Sequence, residues 1–261
     1  MVDSTRAHQR VEQREVQGRR VTITGVLERP VEVLVTPAVS DRADVVIHFH
    51  GAAWLPMQAA EDSGKPLVIA SVNLGAGSRR YSIPFEDPAA FVRLRERIAS
   101  EVPRVERVYL TGFSAGYGAI REILRQRPDE IDGVLLLDGL HAGYVPDGKP
   151  LADGGVIDAK AMEPFLRYAE RAVRGEKRFV VTHSEIFPGT FVSTTETADY
   201  LMESLQLRRT PLLEWGPLGM QQLSKVEGGR LTILGFAGNT APDHIDHLHA
   251  YRHFLELLIG P

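Results

Sequence analysis

Short apolar runs recurring along the chain constrain its fold more than any other feature. They are Val45 to Phe49, Leu67 to Val72, Arg107 to Thr111, Gly133 to Leu137, Phe179 to Thr182 and Leu231 to Phe236. Each is of strand length and continuous rather than alternating, as strands buried on both faces require. Segments with helical spacing lie between them. Asp87 and Pro88 open one whose apolar face is Phe91, Leu94 and Ile98, and Tyr117 to Arg125 forms a second with Ile120, Ile123 and Leu124 inward. Others carry Phe165, Leu166, Ala169 and Val173, then Ala198, Leu201, Met202 and Leu205, and last Leu248, Tyr251, Leu255 and Leu258. This alternation predicts a doubly wound α/β fold on a mostly parallel sheet, spanning residues 1–261 as a single domain.

Ahead of the first run, Val21 to Leu27 and Val31 to Thr36 alternate in β-branched residues around Glu28-Arg29-Pro30, which predicts an antiparallel hairpin at a sheet edge. Residues 1–19 are polar and are expected to be poorly ordered or loosely attached. They contain no apolar run, so neither a signal peptide nor a membrane anchor is expected. A cytoplasmic protein is the default reading, and a secreted form with its leader removed would read the same. Segments 140–160 and 208–229 are the least regular and are expected to be loops or a small lid.

The chain has 30 Lys and Arg against 34 Asp and Glu, a net charge of −4, so no broad basic surface points to nucleic acid or an acidic membrane. It has no cysteine, which excludes disulfides, thiolate catalysis and cysteine-bound zinc. The remaining chemistry concentrates in Leu110-Thr-Gly-Phe-Ser-Ala-Gly-Tyr-Gly118. Here a strand runs into a G-x-S-x-G turn and then into an amphipathic helix. Gly112 and Gly116 allow the two backbones to approach, and Ser114 is lifted toward the C-terminal edge of the sheet as a nucleophile. The Ala115 amide then lies at a helix N-terminus, where N–H groups favour an oxyanion.

On these residues the chain resembles the α/β-hydrolase superfamily, from about Val45 to Leu258. A second matching feature is His50-Gly51-Ala52-Ala53 after an early strand, similar to the His-Gly turn of lipases and esterases. The resemblance implies the backbone N–H of Ala52, or of Ala53, as a second oxyanion donor, with His50 fixing the turn. It also implies a histidine base after the last strand, where His244, His247, His249 and His253 lie in "PDHIDHLHAYRHF". His244 is expected in a loop just before the helix and is favoured, with His247 as the alternative one helical turn on.

The base needs a carboxylate to fix its tautomer. Asp138 ends the strand in "GVLLLDG"; Glu185 follows the next strand in "VVTHSEIF", the commoner superfamily position. Asp138 is favoured and Glu185 is the alternative. The order Ser114, Asp138, His244 is the superfamily's.

The reading is thus a serine hydrolase, a carboxylesterase, acting on a small-molecule acyl substrate without a cofactor. Trp54 and Arg79, with Arg80 and Tyr81, are candidates to line the substrate cleft. Two other classes stay open. One is a metal-dependent hydrolase using Asp243, His244, Asp246 and His247, although no helical H-E-x-x-H is present. The other is a non-catalytic binding protein on a hydrolase fold.

Overall fold

A computed structural model describes residues 7–260. The chain divides into two compact units, one of residues 11–135 and 251–260, the other of residues 7–10 and 136–250.

The first unit contains β1 (Arg19–Ile23), β2 (Val31–Val35), β3 (Ala43–Phe49), α1 (Trp54–Asp62), β4 (Leu67–Val72), α2 (Arg79–Glu86), α3 (Pro88–Ala99), β5 (Val105–Phe113), α4 (Tyr117–Gln126) and the start of β6 (Gly133–Leu137). Its strand order is β1-β2-β4-β3-β5-β6. β1 and β2 form the expected antiparallel hairpin, and β3 runs parallel to both β4 and β5. Every residue of β3 and β4 is buried, which is why their sequences are mostly apolar and do not alternate, with Asp44, His48 and Ser71 as the polar exceptions. Asp87 caps α3 by accepting from the Ala89 N–H, and Phe91, Leu94 and Ile98 are its buried stripe. Each such side chain contributes about 2 kcal/mol on leaving water. Helix α2 carries Pro84 inside it, and it packs on α4.

In the second unit follow β7 (Tyr144–Val145), β8 (Val156–Ile157), α5 (Ala159–Val173), β9 (Arg178–His183), α6 (Thr194–Ser204), β10 (Thr210–Trp215), β11 (Gln221–Gly228), β12 (Leu231–Phe236) and α7 (Ala241–His249). Strand order here is β6-β9-β12-β11-β10, with β9 and β12 parallel and β10 to β12 antiparallel. The last helix, α8 (Tyr251–Ile259), returns to the first unit, where it packs on α1. Together these elements are a doubly wound, mostly parallel α/β sheet with an N-terminal hairpin.

Several expectations need correction. Segment 208–229 is neither loop nor lid, because β10 and β11 occupy it as an antiparallel pair. Segment 140–160 carries the small β7–β8 hairpin. The final helical pattern is two helices, α7 and α8, with Ala250 as the cap between them. Residues 7–18 lack regular structure but are tied down. The Arg14 guanidinium pairs with Glu61 and Asp62, and the Gln17 N–H donates to Glu61 at 2.7 Å. Residues 1–6 of the expected loose segment lie outside the described residues.

Candidate active site

In the first unit, β5 ends at Phe113 and the chain turns at Ser114, whose φ is +47°. A positive φ at a residue with a Cβ costs about 1–3 kcal/mol and persists only where the surroundings impose it. The surroundings here are close-packed backbone. A Cβ at Gly116 would lie 2.2 Å from the Phe49 carbonyl oxygen, and one at Gly112 would lie 2.9 Å from Ile120 Cδ1. Only glycine permits β3, β5 and the following turn to converge in this way. Residues Ser114–Gly116 form a single 3₁₀ turn leading into α4, with Ser114 and Ala115 both partly exposed.

The turn after β3 is equally constrained. His50 has φ +73° and Gly51 +107°, and Ala53 caps the start of α1. Ala52 is exposed one residue before the cap Ala53, so both N–H groups lie at or just ahead of a helix start, where amides lack intrahelical acceptors. His50 Nδ1 lies 2.9 Å from Tyr81 Oη, and its ring stacks on Phe113 with centroids 5.9 Å apart. Tyr81 Oη also accepts from the Leu74 N–H at 3.0 Å, and Asn73 Nδ2 donates to the Gly51 carbonyl at 2.9 Å. Tyr81 therefore cannot line a cleft as expected. It is fully buried, its pKa is raised by that burial, and its hydroxyl braces the His50 turn. Trp54 is half-buried at the start of α1, while Arg79 and Arg80 are exposed at the start of α2. His48 is a core residue bonded to Thr111 at 2.9 Å, with burial pushing its pKa down to about 3.

In the second unit, Asp138 follows β6 directly, at φ +40° and 1 % exposed. Its Oδ2 lies 2.7 Å from His244 Nδ1 and accepts from Ser184 Oγ at 2.8 Å. Its Oδ1 accepts from the Ser184 N–H at 2.9 Å and from Thr194 Oγ1 at 2.6 Å. Burial alone would push this carboxyl up. The charges of His247 and His244 and the hydrogen bonds from His244 and Thr194 outweigh it and hold the group well below the usual carboxylate range. Such a group stays ionised at neutral pH and accepts the imidazole Nδ1–H.

His244 is not in a loop. Thr240 caps α7 with a capping box to Asp243, Pro242 lies in the first turn, and His244 follows inside the helix. His247, one turn on, is 1 % exposed, and its Nδ1 is 2.7 Å from Thr182 Oγ1 rather than on Asp138. The same Thr182 oxygen accepts from the Asp138 N–H at 3.1 Å, so His247 lies behind the pair. Glu185 is exposed, and its Oε2 accepts from the Gly238 N–H at 3.3 Å.

The acidic and histidine cluster of α7 separates into different tasks. His244 and His247 take the partners just described, and Asp243 accepts from the Thr240 N–H and hydroxyl. Asp246, fully buried, meets His8 Nδ1 at 2.8 Å and Arg10 Nη2 at 3.1 Å. His8, Asp243 and Asp246 offer ligand atoms within 4.8 Å of one another, a different trio from the sequence-expected four. The Arg10 guanidinium already places a positive charge on it. His249 ends α7 and His253 lies exposed in α8. Sequence reasoning missed Ser184 and Thr194, whose hydroxyls hold Asp138. Among the described residues, no helix is long and apolar enough to cross a membrane.

No protein-family model matches the chain, and no curated protein matches it. Solved structures do. A thermostable esterase superposes with a TM-score of 0.57 at 15 % identity, covering 92 % of this chain and 62 % of that one. Acetyl xylan esterase from Aspergillus awamori gives 0.54 at 12 % identity, covering 91 % of this chain and 100 % of that one. The enterobactin esterase of Shigella flexneri gives 0.57 at 12 % identity, covering 93 % and 61 %. The chain thus has the α/β-hydrolase fold, and it spans about three fifths of the length of the first and third of these proteins.

Proposed function

We propose that the protein is a serine hydrolase that cleaves a small carboxylic ester through an acyl-enzyme on Ser114. The observation that carries this reading is the buried, ionised Asp138 set 2.7 Å from His244 Nδ1. A carboxylate there keeps the proton on Nδ1 and leaves Nε2 as the basic nitrogen. The reading requires the two compact units to act as one domain, with His244 Nε2 meeting the Ser114 hydroxyl.

His244 then removes the Ser114 proton as Oγ attacks the ester carbonyl, and the amides of Ala115 and Ala52 receive the oxyanion. The imidazolium, stabilised by Asp138, returns the proton to the departing alkoxide. Water, activated by the same histidine, releases the acid and restores Ser114. The strained φ of Ser114 and the left-handed His50-Gly51 turn support these roles, since both expend conformational energy to aim local groups. Trp54 and Arg79 are the proposed cleft-lining residues.

A fluorophosphonate probe followed by peptide mapping tests the reading. We expect Ser114 to be the labelled residue and Ser114→Ala to lose several orders of magnitude in kcat, leaving what the oxyanion hole supplies. Labelling that survives Ser114→Ala, or ester hydrolysis abolished by chelators and restored by zinc, would overturn it.

A further inference from the structure

We propose that the loop of residues 185–193 is a ring-binding wall and that the ester hydrolysed carries an aromatic ring beside the scissile bond. This deepens the preceding reading and rests on it. Both ends of the loop stand on the acid. Ser184, just before it, donates its N–H and hydroxyl to Asp138, and Thr194, just after it, donates its hydroxyl to the same carboxylate. The intervening residues, Glu-Ile-Phe-Pro-Gly-Thr-Phe-Val-Ser, therefore leave from and return to the Asp138 carboxylate that pairs with His244.

Besides Glu185 and Thr190, this loop exposes two aromatic rings. Phe187 is 59 % exposed and Phe191 43 % exposed, unlike the fully buried phenylalanines of the core. Two exposed rings in one loop whose ends bond the acid mark a contact surface. Phe191 already makes an edge-to-face contact with His141, with centroids 5.2 Å apart and planes at 80°. His141 in turn is bonded to the Val192 carbonyl at 3.2 Å and lies close enough to Asp138 and His244 to feel both charges. A substrate ring can extend this arrangement, each ring–ring contact contributing about two- to tenfold in affinity beyond simple area burial. The loop has no basic residue, and its one charge is the exposed Glu185, which disfavours an anionic substituent there.

The test uses ester pairs matched in size. Methyl phenylacetate is compared with methyl cyclohexylacetate, and benzyl acetate with cyclohexylmethyl acetate, so the two pairs distinguish a ring on the acyl side from one on the alcohol side. We expect the wild-type protein to favour the aromatic member of at least one pair by about tenfold in kcat/KM. Phe187→Ala/Phe191→Ala should bring that ratio close to unity, chiefly through KM, and Phe191→Leu should lower it in part. Equal rates within both pairs, or a preference that survives the double substitution, would sink the proposal. If Ser114 is labelled by the phosphonate but no aromatic preference is found, only this inference fails. If Ser114 is unlabelled and no ester is cleaved, both fail.

Discussion

At the scale of single residues, Asp138 has hydrogen-bond partners on both of its oxygens. Its two oxygens accept from the Ser184 N–H, the Ser184 and Thr194 hydroxyls, and lie against His244. Hydrogen bonds to a charged group are worth about 1.5–3 kcal/mol each, enough together to keep a 1 % exposed carboxyl ionised. Glu185 is exposed, and its Oε2 accepts from the Gly238 N–H at 3.3 Å. Asp138→Asn should therefore lower kcat by about 10⁴, because the amide presents a donor to Nδ1 and imposes the wrong tautomer. Glu185→Gln keeps an acceptor for Gly238 and should cost less than about threefold. Steady-state kinetics on any ester that the protein cleaves decides between them, and a crippled Glu185→Gln would reassign the acid. Both partners of the Asp138–His244 contact were legible as residue types at strand and helix boundaries. Ser184 and Thr194 were not, because a serine after a strand reads as ordinary loop and a hydroxyl at a helix start reads as a local cap. Ser193 does cap α6, while its neighbour Thr194 reaches across to the acid instead.

At the scale of elements, helix α7 shows how a side chain is aimed. The Thr240–Asp243 capping box fixes its start, and Asp246 anchors its inner face to His8 and Arg10 of the N-terminal segment. Removing partners from a buried carboxylate costs about 3 kcal/mol. His8→Ala/Arg10→Ala should destabilise the protein by that order in urea denaturation and lower kcat by loosening the helix that carries His244. A double variant with wild-type stability would show that the segment anchors nothing. The central strands were readable because burial on both faces demands unbroken apolar sequence: β4, β6 and β12 begin and end where their runs do. β10 was not readable. Thr210-Pro-Leu-Leu-Glu-Trp215 is mostly exposed, so no face selects apolar residues and its proline imitates a turn. Pro242 misled in another way. Proline suits the first turn of a helix, so it lies inside α7 and takes His244 with it.

At the scale of the whole molecule, the buried histidines set how the fold answers acid. His48 lies in the first unit and His183 in the second, and burial lowers their pKa values to about 3 and about 4. In the unfolded chain each titrates near about 6.5. Between these values the unfolded state binds the extra proton, so their stabilising contribution is complete above about 6.5 and is lost as pH falls toward the folded value. Asp138 acts later. Its depressed carboxyl stabilises the fold above about 4 and loses that contribution only below it. From pH 7 to pH 5, therefore, the histidines dominate, each removing about 2 kcal/mol and the pair about 4 kcal/mol. Urea denaturation at the two pH values should show a fall of at least this size, and His183→Asn should make it smaller by about 2 kcal/mol whatever its effect at neutral pH. The slope is the diagnostic quantity, since Asn also loses the bond from the His183 ring to Thr195 and shifts both measurements together. If His183→Asn falls as steeply as the wild type, His183 is protonated in the folded protein and burial does not govern its charge.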